Sequence, residues 1–194
     1  MTTKNREAWL TQAIKPLAKM IDATGIAKVP TDVQVSVGWP GGRSMHKTIG
    51  QCWKTTAGKG KNHIFISPLL NDPHAVLETL LHELVHAADD CENKHAGPFV
   101  KMIRAVGLEG KPTATHAGPD LAIKLAAIAD KLGDYAHTGM TPSQVAKPQT
   151  TRMMKVECPS CGCICRMTAK WLDEVGEPTC GCGTQMVFVP RVTK

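Results

Sequence analysis

The sequence predicts an α+β protein: a domain of helices and short strands, followed by a small cysteine-rich module. Three observations predict it. Amphipathic helix patterns flank a cluster of short strand patterns. The run His82-Glu83-Leu84-Val85-His86 lies inside the most apolar of those helices. Six of the eight cysteines fall within Cys158–Cys182. The 194 residues are 42% hydrophobic and 21% charged, near the soluble average, which excludes wholesale disorder and collagen-like structure. No apolar run approaches the roughly 18 residues of a membrane span. Met1–Arg6 leads into no apolar leader core, so a cytoplasmic location is expected. In a reducing compartment, clustered cysteines read as metal ligands or buried thiols rather than disulfides.

The elements follow in order. Glu7–Ala23 carries Trp9, Leu10, Ala13, Ile14, Leu17 and Ile21 at helical spacing, with Pro16 expected to kink or divide the helix. Val33, Val35 and Val37 alternate with polar residues and predict a strand. His46–Lys54 and His63–Ser67 predict two more, with turn residues between, and together a small antiparallel sheet. Asn71 or Asp72 caps the next helix, with Pro73 at its first position. That helix runs to about Asp89, and its broad face of Val76, Leu77, Leu80, Leu81, Leu84 and Val85 predicts burial. Gly97-Pro98 opens another helix ending near Gly107; residues 108–118 read as a loop, and Pro119–Leu132 as a further helix. The domain is expected over 1–137, a polar linker with Pro142 and Pro148 over 138–151, and the cysteine module over 152–194.

Two histidines at i and i+4 project from one helix face, so both can bind one Zn²⁺ at about 2.0–2.1 Å. Glu83, one residue along, can reach a water at such an ion as general base. A catalytic zinc takes three protein ligands and keeps one position open. His95, at the start of the following helix, is the favoured third ligand; Glu109 and the nearby Asp89, Asp90 and Glu92 are the alternatives. Asp89 and Asp90 are also placed to support the second nitrogen of a ligand histidine. The zinc pattern with Gly three and His six residues beyond the second histidine is excluded, since Asp89 and Glu92 stand there.

Cys158-Pro-Ser-Cys161-Gly162 and Cys180-Gly-Cys182-Gly183 form two knuckles that predict a four-thiolate zinc ribbon. A module this small folds poorly without its metal. Cys163 and Cys165 read as strand thiols, the alternative being that one of them replaces one of the four ligands because the second knuckle is short, with Trp171 expected in a small core; Cys52 and Cys91 are isolated in sequence and read as structural. Two zinc ions per chain follow, one catalytic and one structural. Residues 1–61 hold ten Lys/Arg against three Asp/Glu. Arg43, Lys47, Lys54, Lys59 and Lys61, interleaved with His46, Trp39 and Trp53, are the candidate nucleic-acid contacts, a solvated hairpin being the other reading.

His82-Glu83-Leu84-Val85-His86 followed by His95-Ala96-Gly97-Pro98-Phe99 resembles the SprT-like metallopeptidase domain, and His63–Pro68 is similar to that family's strand before its active-site helix. The resemblance covers roughly residues 5–137; Ala96 departs from the Gly often found after the histidine. It implies a zincin-like fold and a zinc-dependent peptidase using His82, His86 and His95 as ligands and Glu83 as base. The family includes Spartan-type proteases, which digest proteins crosslinked to DNA, and small bacterial and phage members. The expected partner is therefore a protein or peptide substrate, and no membrane; recruitment to DNA is an open alternative that the residues themselves do not require. A substrate strand is expected along the edge of His63–Ser67. His116, Tyr135 and His137 are the oxyanion-stabiliser candidates. The competing reading is a non-catalytic nucleic-acid- or transcription-associated protein with two structural zincs, in which Glu83 has no task.

Overall fold

The computed structural model describes residues 5–39, 47–141 and 153–190. Chain contacts divide it into two units, Met1–Gln144 and Val145–Lys194. Among the described residues there are five helices and three small sheets, a mixed α+β architecture, and no helix is long and apolar enough to cross a membrane. Arg43 and most of the expected linker lie outside the described residues.

Helix α1 (Arg6–Asp22) starts at Asn5, whose side-chain oxygen accepts from the Ala8 N–H at 2.8 Å. It runs unbroken through Pro16, contrary to the expected division. The carbonyl that Pro16 cannot serve belongs to exposed Gln12, where water can replace the missing donor. Strands β1 (Gln34–Val37), β2 (Gly50–Trp53) and β3 (His63–Ile66) form a sheet in the order β1-β3-β2. β2 is antiparallel to β3, with Gly50 opposite Ile66, but β1 runs parallel to β3, with Gln34 opposite His63. The sheet is therefore mixed, not antiparallel. The chain between β1 and β3 contains all of β2, long enough to return β3 in the same direction, as parallel pairing requires.

Helix α2 (Pro73–Ala88) is capped by Asp72, which accepts from the Ala75 N–H at 2.8 Å. Val76, Leu77, Leu80, Leu81, Leu84 and Val85 are fully buried against Trp9, Leu10, Leu17, Ile64 and Ile66 in one core. At about 25 cal/mol per Å² of apolar surface, six such side chains fix the helix far more firmly than propensity alone. Helix α3 (Pro98–Ala105) follows, then the hairpin β4 (Leu108–Lys111) and β5 (Ala114–Ala117), then α4 (Pro119–Leu132). The hairpin replaces the expected loop. Its strands are four residues each, mostly exposed and short of β-branched residues, so no alternation marks them. The Glu78 carboxylate accepts from the Ala117 N–H at 3.1 Å and ties β5 to α2.

The second unit is a three-stranded antiparallel sheet, β7-β6-β8, of β6 (Met154–Glu157), β7 (Ile164–Met167) and β8 (Val187–Val189), with the short helix α5 (Ala169–Val175). Val156, Cys158 and Met186 form its buried centre, lined by Met167, Leu172, Cys180 and Phe188. Trp171 is half exposed and is not the core residue that its size suggests.

Candidate metal centre

His82 and His86 stand one turn apart on α2, and His86 is buried. After Ala88 the chain reverses sharply. Asp90 and Cys91 take left-handed backbone conformations, and the Cys91 N–H donates to the His86 carbonyl at 2.8 Å. The reversal is pinned by Asp90, whose carboxylate accepts from the Thr55 N–H, the Thr55 hydroxyl and the Asn62 amide, each at 2.8 Å. Asp90 therefore serves the turn rather than a histidine, and Asp89 accepts from the Asn93 N–H. The loop then carries His95 back over α2. At Gly97 a φ of +52° suits the residue without a Cβ and starts α3. That start buries Phe99 beneath the site, its ring stacked on His86 at 4.1 Å and edge-on to His82 and His95, both at 5.2 Å.

The three imidazoles converge. His95 Nε2 lies 3.4 Å from His82 Nε2 and 3.2 Å from His86 Nε2. A tetrahedral ion with metal–nitrogen bonds of about 2.0–2.1 Å separates its nitrogens by about 3.3–3.4 Å. Burial, reinforced by the neighbouring histidines, holds His82 down to about 4 and His86 to about 3; burial also lowers His95. The rings are thus neutral near pH 7, as ligands must be. Three facing lone pairs repel unless they share a cation, so donors and spacing both fit a metal ion. The other nitrogen of His82, Nδ1, sits 2.9 Å from the Thr115 hydroxyl. Thr115 comes from the unexpected β4–β5 hairpin, so neither its place nor its role could be read from spacing. Glu109 instead faces His116 on the hairpin, at 3.9 Å, and takes no part in the cluster.

Glu83 points into the same cleft, a cavity of about 600 Å³ lined by Gly50, Cys52, Thr79, His86, Cys91 and Thr115 among others. Its side chain is buried, with 6% of the residue exposed. Burial first, then the Cys91 thiol, pushes the carboxyl up to about 8, against the lowering effect of the Cys52 N–H that donates to it. A cation beside it would draw the value back down. A Cβ added at Gly50 would lie 2.6 Å from Glu83 Oε1 and 2.6 Å from Thr79 Cγ2, so only glycine lets β2 approach this closely.

Other expectations need correction. β3 is the central strand, paired on both sides, and has no free edge for a substrate; among the described residues the edge strand lining the cleft is β2. Tyr135 packs edge-on against Trp9 in the core, 5.0 Å between centroids, and neither it, His116 nor His137 lines the cleft. Of the basic candidates, Lys47 lines the cleft, Lys54 pairs with Glu92 at 3.6 Å and Lys61 with Asp32 at 3.9 Å, while Lys59 is exposed. Cys52 and Cys91, far apart in sequence, meet in the cleft: both line it, and Cys91 Sγ is 3.6 Å from the Cys52 carbonyl.

In the second unit, Cys158, Cys161, Cys180 and Cys182 form a second cluster able to hold a metal ion. Sγ separations are 3.5 Å for Cys158–Cys182 and for Cys161–Cys180, close to the roughly 3.8 Å implied by four zinc–sulfur bonds of about 2.3 Å. Two tight turns present the thiols, closed by Gly162 N–H to the Cys158 carbonyl at 3.0 Å and Gly183 N–H to the Cys180 carbonyl at 2.8 Å. The Thr184 hydroxyl and N–H, with the Cys158 thiol, lower Cys182 to about 6, toward the thiolate a metal needs. Cys163 and Cys165 are exposed and outside the cluster. Comparisons with protein-family models, curated proteins and solved structures return no match for this chain.

Proposed function

We propose that the chain is a zinc-dependent peptidase of the SprT-like kind, with a zincin-like domain and a C-terminal zinc ribbon. The observation that carries this reading is the convergence of three neutral imidazole nitrogens in one cleft with a buried carboxylate. A purely structural site has no use for that carboxylate, and burying it there is costly. His82, His86 and His95 would hold the catalytic ion, and Cys158, Cys161, Cys180 and Cys182 the structural one. Zinc, when bound, supplies a Lewis acid for the peptide carbonyl and acidifies a water. Glu83 takes the proton of the attacking water and returns it to the leaving amine. The Cys52 N–H holds the carboxylate toward the cleft, and Thr115 fixes the His82 ring. An extended peptide lies along β2, the edge strand of the cleft.

The test combines zinc content with turnover of an unfolded protein such as casein, with and without single-stranded DNA. Wild type carries two zincs; His86→Ala carries one and is inactive. Glu83→Gln keeps two zincs and loses turnover. Undiminished cleavage by purified Glu83→Gln protein overturns the mechanism. Two zincs with no cleavage, and DNA affinity that falls steeply with salt, favour the non-catalytic binding reading.

A further inference from the structure

We propose that Cys52 and Cys91 are a redox modification site: hydrogen peroxide joins them in a reversible disulfide in the wall of the cleft. Three observations carry this. The residues come from different elements, the edge strand β2 and the reversal after α2, yet Cys91 Sγ lies 3.6 Å from the Cys52 carbonyl, which sets the two residues side by side. Both are partly exposed and both line the cleft, so a small oxidant reaches them without unfolding. Cys91 sits in a left-handed conformation (φ +58°) beside Asp90 (φ +48°), held by the Asp90 bonds to Thr55 and Asn62 rather than by local preference. Neither thiol belongs to the His cluster or to the four-cysteine cluster.

The chemistry balances with the peroxide as the only co-reactant. The Cys91 sulfur attacks one peroxide oxygen and the O–O bond breaks. This leaves a sulfenic acid, and the thiol proton departs with the other oxygen as water. The Cys52 sulfur then attacks the sulfenic sulfur. The S–S bond forms, the S–O bond breaks, and the second thiol proton completes a second water. Two thiols are oxidised by two electrons and one peroxide is reduced. A dithiol reverses the sequence by exchange. The bond ties β2, along which the peptide lies, to the loop carrying His95, so the cleft cannot part to admit a substrate. The bond itself stands apart from the peptidase reading; its effect on turnover rests on that reading.

The experiment uses the full, zinc-loaded chain treated with hydrogen peroxide, then alkylated, digested with trypsin and analysed by mass spectrometry. The disulfide links the peptides Thr48–Lys54 and Asn62–Lys94. The expected result is that this linked pair dominates at stoichiometric peroxide, before the ribbon cysteines lose zinc, and disappears with dithiothreitol. Turnover falls at least tenfold in parallel and recovers on reduction, whereas Cys91→Ser, active before treatment, changes less than twofold. Cys52→Ser, in which Cys91 stops at the sulfenic acid, checks the order of attack with a sulfenic-acid probe. Absence of the linked pair overturns the proposal, as does a linked protein with full turnover. If the linked pair forms but the reduced wild type cleaves nothing, the peptidase reading fails and the modification site stands.

Discussion

Gly50→Ala tests how tightly β2 packs against Glu83. The added Cβ would meet Glu83 Oε1 at 2.6 Å, Thr79 Cγ2 at 2.6 Å and Glu83 Cγ at 2.9 Å. A long side chain with a free end would swing away at little cost. Here neither neighbour is free: Glu83 is buried and held by the Cys52 N–H, and Thr79 is buried with its hydroxyl bonded to the Ala75 carbonyl at 2.7 Å. Either β2 lifts from α2 or the carboxylate turns. Overpacking of this kind costs about 1–3 kcal/mol of stability. A displacement near 1 Å at a catalytic group costs about 100-fold in rate. The three atoms nearest the added Cβ belong to Glu83 and Thr79 rather than to a histidine, so zinc content should stay at two. Urea unfolding, casein turnover and zinc analysis measure the three quantities. Thr79→Ser keeps the hydroxyl, removes the colliding methyl and should return part of both losses in the double variant. A Gly50→Ala protein with wild-type turnover would refute the placement of Glu83 as base.

Three further outcomes are expected. Thr115→Ala should weaken zinc binding at the histidine site about 10–100-fold in a chelator competition, with the cysteine site unchanged; equal affinity would dismiss Thr115 as a positioning residue. Zinc-stripped protein should be most stable near pH 6.5. Below that value, the unfolded histidines bind protons that His82 (about 4) and His86 (about 3) refuse, so stability falls with pH; above it, Glu83 (about 8) keeps a proton that the unfolded chain has lost, so stability falls as pH rises. Because Glu83 holds its extra proton from about pH 4.5 upward, Glu83→Gln should remove the alkaline limb and steepen the acid one, as read by urea midpoints from pH 5 to 8.5, and identical profiles would contradict the burial argument. Cys161→Ser should lower zinc from two to one and open residues 153–190 to trypsin while casein turnover persists; retention of both zincs would exclude Cys161 as a ligand.

The positions of α1 to α4 and the apolar face of α2 were legible in the sequence, because helical periodicity is local and these faces are strongly apolar. The convergence of His82, His86 and His95 was legible for a related reason: a helix, a short reversal and a second helix start leave little freedom for where His95 lands. What was hidden depends on contacts between distant segments. The parallel pairing of β1 with β3 is decided by the path of the chain around β2, which no residue pattern encodes. Thr115 reaches His82 only because a weakly patterned hairpin packs on α2. The meeting of Cys52 with Cys91 requires the Asp90 bonds to Thr55 and Asn62, so spacing alone showed two solitary thiols. Asp89 and Asp90, beside a metal motif, suggested support for a histidine; Thr55 and Asn62, from the connection between β2 and β3, claim Asp90 instead.

Phe99 beneath the three imidazoles has a consequence for how the domain divides its tasks. Ligands and floor occupy one continuous stretch, His82–Phe99, and can meet as soon as two adjacent helices dock. The anchor of Glu83 comes from β2, across the mixed sheet. On the proposed function, capturing a metal would thus be a short-range property of this chain, whereas aiming the base would be a long-range one. During folding the first can be achieved before the second. A partly folded chain would then hold its ion without an oriented base, and hydrolytic competence would arrive only when the sheet closes.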